Sequence, residues 1–409
     1  MPLSNLPNEI ILEIADHLRD EAMNALARTN NRIYDLLNGY LYRRDVTRQG
    51  SFNGSLHWGV LNESEGTIKH ATAAGRGLDP LPLSYRGALE VAILEGDKNM
   101  VKLLLEVDID MNSVMPWSYN PPPLLMAIEE YQIAIVGLLL ASANVDPNIK
   151  SPETDEPALL VACKKGYDDM VEQFLTRDDV DVNAQDQEHV SPLHCACNMD
   201  YVGIAKRLLA RDDIDINAFG FSEGSTPLAT ASLSRKPDIV NLLLAKDGIK
   251  VNLQDDDGET PLFAAARARS VRVMESLLAR DDLDPNVCEF NLGRTVLMQV
   301  CRGEGGLDLV KLLLDKEGID LNKQDNSGYT ALSLAVESDN FEAAKLLLAR
   351  PDIDPNLQND QGQTALSIAY RQNSLSMVNL LLESDDVDPK NIVFQARGAR
   401  TRPRRRKGA

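Results

Sequence analysis

The chain has 409 residues, with 62 Asp or Glu against 42 Lys or Arg and a formal net charge of −20. So acidic a body repels polyanions, which argues against general binding to nucleic acid or an anionic membrane and favours basic partners or simple solubility. Aromatic residues make up only 5% and apolar residues 44%, so the core must come from Leu, Val, Ile and Ala, which suits thin helices packed closely. The charge is unevenly spread: residues 390–409 hold eight Lys or Arg and no acid, leaving −28 on residues 1–389. Cys163, Cys195, Cys197, Cys288 and Cys301 form an odd, dispersed set, and no basic flank precedes an apolar core at the N-terminus. Both point to reduced thiols in a protein of the cytoplasm, the nucleus or both. The longest predominantly apolar run, Ile133 to Ala143, has 11 residues against the roughly 20 a spanning helix needs, so no membrane span is expected.

Residues 1–48 read as about three short helices. Leu6, Pro7, Ile10, Ile14 and Leu18 place an apolar stripe at i, i+4 spacing, and Pro7 and Glu9 suit a helix start. A second segment carries Met23 and Leu26, and a third Ile33, Leu37 and Leu41. The opening Leu6-Pro7-Asn8-Glu9-Ile10 resembles an F-box, although Ile33 and Tyr34 stand where that family usually has a Trp. The resemblance implies docking of Leu6, Pro7, Ile10 and Ile14 onto the Skp-type adaptor of a cullin-RING ubiquitin ligase. The alternative is a helical cap that shields the first repeat from water.

From Leu56 a period begins, faintly at first, and then as Leu89/Ala92, Leu124/Ala127, Leu159/Ala162, Leu193/Ala196, Leu228/Ala231, Leu262/Ala265, Leu297/Val300, Leu332/Ala335 and Leu366/Ala369, in steps of 33 to 35 residues. Each unit reads turn, helix, helix, turn. In the stretch from Asn252 to Asn286, Asp255 and Gly258 mark the turn, Thr260 is placed to cap a helix, and Pro261 takes the first helical position, where its missing N–H has no partner to lose. With Ser191-Pro192-Leu193-His194, Thr226-Pro227-Leu228 and Thr260-Pro261-Leu262, these units closely resemble ankyrin repeats. The resemblance implies an all-α solenoid of about ten helix-turn-helix repeats with β-hairpin connectors, spanning residues 55–390 after the F-box-like segment. Where that family usually has Gly after the second helix, this chain writes Arg-Asp-Asp, as in Arg211-Asp212-Asp213 and Arg280-Asp281-Asp282. Asp is expected to take the left-handed turn there, and Arg177, Arg211, Lys246, Arg280 and Arg350 to complement the helix dipole. Residues 113–123 lengthen one hairpin, and residues 391–409 lack apolar periodicity and read as a disordered basic tail.

Chemistry-bearing motifs are sparse. Cys195 and Cys197 stand two apart on a helix and point about 200° around it, so they cannot share an ion, and His194 reads as a structural hydrogen-bonding residue. Placing Gly258 at the sixth position of a calcium loop puts Leu253 first and Ala264 twelfth, where Asp and Glu are required. No catalytic, cofactor-binding or metal-binding set is found, and no small-molecule substrate is implied. The residues a repeat does not need are Trp117, Tyr119, Phe219, Phe221, Phe290 and Tyr329 at the tips, with Asp255, Asp256 and Phe263 in the unit that opens at Asn252. They either contact a partner or fold back on the hairpin. Arg402, Arg404, Arg405, Arg406 and Lys407 suit a nuclear-import signal, a nucleic-acid arm or a solvated tail. The chain is expected to be a non-enzymatic adaptor, monomeric outside its complex, that presents a bound protein to a ubiquitin ligase. The other reading is a scaffold or inhibitor in which residues 1–48 only cap the stack.

Overall fold

The computed structural model describes residues 83–106, 111, 112, 121–303 and 306–390, together with Leu6, Pro7, Ile10, Ile11, Glu13 and Ile14. The later helices of the F-box-like segment, the first faint repeat, Trp117, Tyr119 and the basic tail lie outside the described residues. Near the N-terminus the Ile11 amide donates to the Pro7 carbonyl at 3.2 Å, so a helical turn follows Pro7 as its position predicts. Ile11 is buried there, while Ile10 stays 43% exposed.

Eighteen helices follow in nine pairs among the described residues: α1 Leu83–Leu94 and α2 Lys98–Leu104, α3 Pro123–Glu129 and α4 Ile133–Leu140, α5 Ala158–Lys164 and α6 Asp168–Phe174, α7 Pro192–Met199 and α8 Val202–Leu209, α9 Pro227–Leu233 and α10 Pro237–Leu244, α11 Pro261–Arg267 and α12 Val271–Leu278, α13 Val296–Arg302 and α14 Leu307–Leu314, α15 Ala331–Glu337 and α16 Phe341–Leu348, α17 Ala365–Gln372 and α18 Leu375–Leu382. They fall into two units, residues 1–187 and 188–409. In the first, α1, α3 and α5 stack in order beside α2, α4 and α6. In the second, the first helices α7 to α17 form one row and the second helices α8 to α18 another. The expected hairpins are reduced among the described residues to single bridges, Lys150 with Pro157 and Gly220 with Ser225, and no strand forms.

Every leucine of the Leu-x-x-small pattern from Leu89 onward is at most 2% exposed, and its small partner at most 6%. Burying a leucine contributes roughly 1.5–3 kcal/mol, and the alanine beside it lets the neighbouring repeat approach. Helix starts are capped by hydroxyls: the side chains of Ser191, Thr226, Thr295, Thr330 and Thr364 each accept from the backbone amide three residues on. Thr330 forms a full capping box with Ser333. Thr260, expected to cap α11, makes no such bond although its backbone has the same extended form.

Two kinds of turn separate the helices. Between the paired helices the chain takes a left-handed residue: Gly96 and Gly166 at φ +70°, Asp200 at +65°, Asn373 at +57°, but also Tyr131, Arg235 and Arg269 at +55°, +57° and +54°. The last three carry a Cβ clash that costs roughly 1–2 kcal/mol per residue. After the second helix of each pair, Asp does not adopt the left-handed form expected of it. Gly248 and Gly318 do, whereas Asp213 and Asp282 keep negative φ.

Those Asp residues serve the preceding Arg instead. Arg177 holds Asp179 through Nε and Nη2 at 2.8 and 2.6 Å, while its Nη1 donates to the carbonyls of Leu140, Ser142 and Val145 in the repeat before. Arg280 repeats the pattern with Asp282 and the Leu244 carbonyl, and Lys316 reaches the carbonyls of Leu278 and Arg280. The cations thus satisfy helix-end carbonyls of a neighbouring repeat, not only their own dipole.

An asparagine completes each joint. Asn252 donates through Nδ2 to the Asp282 carbonyl and accepts the Asp284 amide through Oδ1. Asn217, Asn286, Asn322 and Asn356 do the same one repeat apart in the second unit, and Asn112 and Asn148 in the first.

Candidate functional site

In the second unit the hairpin tips are tied to one another by backbone hydrogen bonds. The Asp256 amide donates to the Glu223 carbonyl, Phe290 to Asp257, Asn326 to Leu292 and Asp360 to Ser327, at 2.8–3.0 Å. Each tip is closed by its own acid or amide: Asp255 accepts the amides of Asp257 and Glu259, Asp325 those of Ser327 and Tyr329, and Asn359 those of Gln361 and Gln363. The row therefore presents side chains from a fixed backbone, which lowers the entropic cost of engaging a ligand.

The residues singled out in the sequence separate on this row. Phe219 is 51% exposed and Phe290 is 61% exposed. The Phe290 ring lies over Gly258, where an added Cβ would stand 2.7 Å from the ring, so the glycine is needed for this approach as well as for its φ of +81°. Phe221 folds back, its ring edge-on to His194 with centroids 5.8 Å apart, and Tyr329 is half-buried. Asp256 is exposed and reaches over Gly224.

Asp255 is a turn residue, and burial raises its carboxyl above the usual range against the opposing pull of the two amides it accepts. Phe263 is a correction: at 2% exposure it belongs to the core and offers nothing to a partner. Leu292, not singled out in the sequence, is 47% exposed on the same tip as Phe290. Its signal was available, because the tip that ties Asn326 to it has no structural need for an apolar side chain there.

His194 has the structural role read from the sequence. Its Nε2–H donates to the Ser225 carbonyl at 3.0 Å, which leaves Nδ1 to accept from the Ser191 hydroxyl at 2.8 Å. The ring is fully buried and fixes the adjacent hairpin to the helix start. Burial pushes the Cys197 thiol far up, helped by neighbouring Cys195, and pushes Cys301 up to about 12. Both stay protonated thiols, unsuited to attack or metal ligation. Among the described residues no group of three or more His, Cys, Asp or Glu could hold a metal ion, and no helix is long and apolar enough to cross a membrane.

At the N-terminus, Leu6 and Ile14 are half-buried and Pro7 and Ile10 exposed, so part of the expected apolar stripe is open.

Comparison with known proteins agrees with the repeat architecture. No curated protein matches the chain. The solved ankyrin repeat domain of Bcl-3, described as a unique member of the IkappaB protein family, superposes with a TM-score of 0.50 at 23% identity, over 55% of this chain and 97% of that one. That likeness bears on the fold. The family model for ankyrin repeats (3 copies) matches residues 124–220, 159–255, 219–289, 248–325, 279–359 and 297–392, which together span about two thirds of the sequence. From α3 to the end of α18 the helix pairs and the family match coincide, and the chain belongs to the ankyrin-repeat family.

Proposed function

We propose that the protein is a non-enzymatic adaptor, whose ankyrin repeats hold a protein partner while the N-terminal segment docks onto the Skp-type adaptor of a cullin-RING ubiquitin ligase. The observation that carries the partner-binding half is the tip row of the second unit, where Phe219, Phe290 and Leu292 expose apolar area on a hydrogen-bonded backbone. Aromatic anchors with few rotors, set beside the exposed Asp256 and Asp257, suit a partner with apolar and basic side chains. The ligase half rests on the F-box-like motif and on the exposure of Pro7 and Ile10. Trp117 and Tyr119 are assigned to partner binding on their sequence alone, and Arg402, Arg404, Arg405, Arg406 and Lys407 to nuclear import.

Two variants of the full-length chain separate the halves. Ile10→Asp should abolish co-purification of the Skp-type adaptor and spare other partners, whereas Phe219→Ala with Phe290→Ala should do the reverse. If wild-type protein recovers no such adaptor, the ligase half falls. A second reading, an ankyrin scaffold whose N-terminal segment only caps the stack, draws on the burial of Ile11 at 2% exposure. It expects Ile11→Asp to lower thermal stability and Ile10→Asp to leave partner recovery intact.

A further inference from the structure

The turns between paired helices carry a local reversal of charge. Arg235 follows α9 and Arg269 follows α11, in the same left-handed position of adjacent repeats, and Arg272 stands in the first turn of α12. All three side chains are exposed, and among the described residues none makes an ion pair, in contrast to Lys236 with Asp200 at 3.5 Å and Arg267 with Glu259 at 2.9 Å. The acids on the adjoining second helices, Asp238 and Glu275, are exposed and make no ion pair with them. Apolar side chains open onto the same turns: Leu233 is 43% exposed and Val271 36% exposed. The two turns belong to helices that pack directly, α9 against α11 and α10 against α12, which sets them about 8–10 Å apart.

Arginine is a costly choice at this position. Glycine stands there in two repeats with no Cβ to strain, and Asp200, Asp339 and Asn373 in three others are of the short polar kind that tolerates this conformation, whereas Arg235 and Arg269 take it at φ +57° and +54° with a long side chain. A chain of net charge −20 has no need of unpaired cations for solubility. Strain retained at an exposed charged residue points to a use outside the fold.

We propose that Leu233, Arg235, Arg269, Val271 and Arg272 form a docking face for an acidic segment of a protein partner, one in which carboxylates alternate with apolar side chains. Arginine binds carboxylates bidentately, and the two exposed aliphatic residues supply the apolar contacts between them. The face lies at the opposite end of the first helices from the tips, separated by about 10 Å of a seven-residue helix, so it can be occupied together with the tip row. A nucleic acid is the poorer occupant. Three arginines on an acidic body supply little counterion release, and Leu233 and Val271 have no phosphate to meet.

The test uses the full-length chain and a fluorescently labelled peptide of alternating Glu and Leu, followed by anisotropy at low salt. Wild type should bind it, and raising salt should weaken binding. The variant Arg235→Asn/Arg269→Asn/Arg272→Gln should bind about tenfold more weakly, since it removes all three surface charge contacts. Its Tm should not fall, because Asn373 already occupies this turn in another repeat. Should the Tm fall, Arg272→Glu on exposed helical surface decides in its place, with a several-fold loss expected. Phe219→Ala with Phe290→Ala should leave the peptide affinity unchanged, which keeps this face distinct from the tip row. The proposal is overturned if wild type does not bind the peptide, if the arginine variants bind it equally, or if duplex DNA binds as tightly as the peptide.

Discussion

Thr260 and Thr330 occupy the same place in their repeats, yet only the Thr330 hydroxyl oxygen accepts an amide of the helix start, that of Ser333. Thr330→Ala should therefore cost about 1 kcal/mol, and Thr260→Ala clearly less, a comparison that urea denaturation of the full-length variants measures directly. Equal losses would mean that the cap geometry does not control these ends. His194→Leu should cost roughly 1–3 kcal/mol, because it removes the link from Ser191 to the next hairpin. His194 was legible in the sequence from the Ser-Pro-Leu-His motif. Phe263 was misread as a contact residue, and the means of avoiding this was in the same motif. Phe263 and His194 both follow the buried leucine by one residue, so the position read as structural for histidine is structural for phenylalanine, and both side chains are buried.

At the scale of the element, the connector after the second helix shows what a sequence conceals. The recurrence of Arg-Asp-Asp was plain, but its bonds run to carbonyls about 35 residues away, and a local reading assigns the Asp to the turn conformation alone. Arg177→Ala should destabilise the protein by roughly 1.5–3 kcal/mol, the range for charged hydrogen bonds to partly buried carbonyls. Arg177→Lys should recover only part of this, since an ammonium cannot hold Asp179 bidentately and span three carbonyls at once. Chemical denaturation of the two variants tests the order. The pairing also has a pH signature. Hydrogen bonds from Arg177, Arg211 and Arg280 hold the carboxyls of Asp179, Asp213 and Asp282 below the usual Asp value of 3.8. A depressed carboxyl stabilises the fold above its unfolded value and loses that contribution as pH falls through the folded one. Asp179→Asn should therefore narrow the stability gap to wild type on acidification below that range.

Taken as a whole, the molecule balances this against acids of the opposite tendency. Burial raises Glu259 above 4.5, with Arg267 pulling it back and Asp255, Asp257 and Glu289 pushing it further. A raised carboxyl favours the fold when protonated and disfavours it once pH rises through the folded value. Glu259→Gln should thus raise the Tm at neutral pH, with the gain shrinking as pH is lowered. A lower Tm for the variant at neutral pH would show that the Arg267 pair outweighs the burial. The repeat architecture itself was legible because nine Leu-x-x-small pairs at nearly one period admit no other fold class. The partner surface was legible only in part, since aromatic residues at tips can face either way. Phe290 and Phe219 stay open while Phe221 turns onto His194, and that choice depends on the neighbouring hairpin.

The asparagine joints have a consequence for the motion of the backbone. Each Asn Oδ1 holds an amide on an exposed ridge: Lys250, Asp284, Asp320, Asp354 and Asp388 in the second unit. Surface amides ordinarily trade their protons with water within moments, but these can do so only when two neighbouring repeats part. Deuterium uptake should therefore show a comb of slow sites on this face, one per repeat, each reporting the opening of a single joint. Asn252→Ala should erase the tooth at Asp284 and leave those at Asp354 and Asp388 in place, which would let the separation of repeats be followed joint by joint.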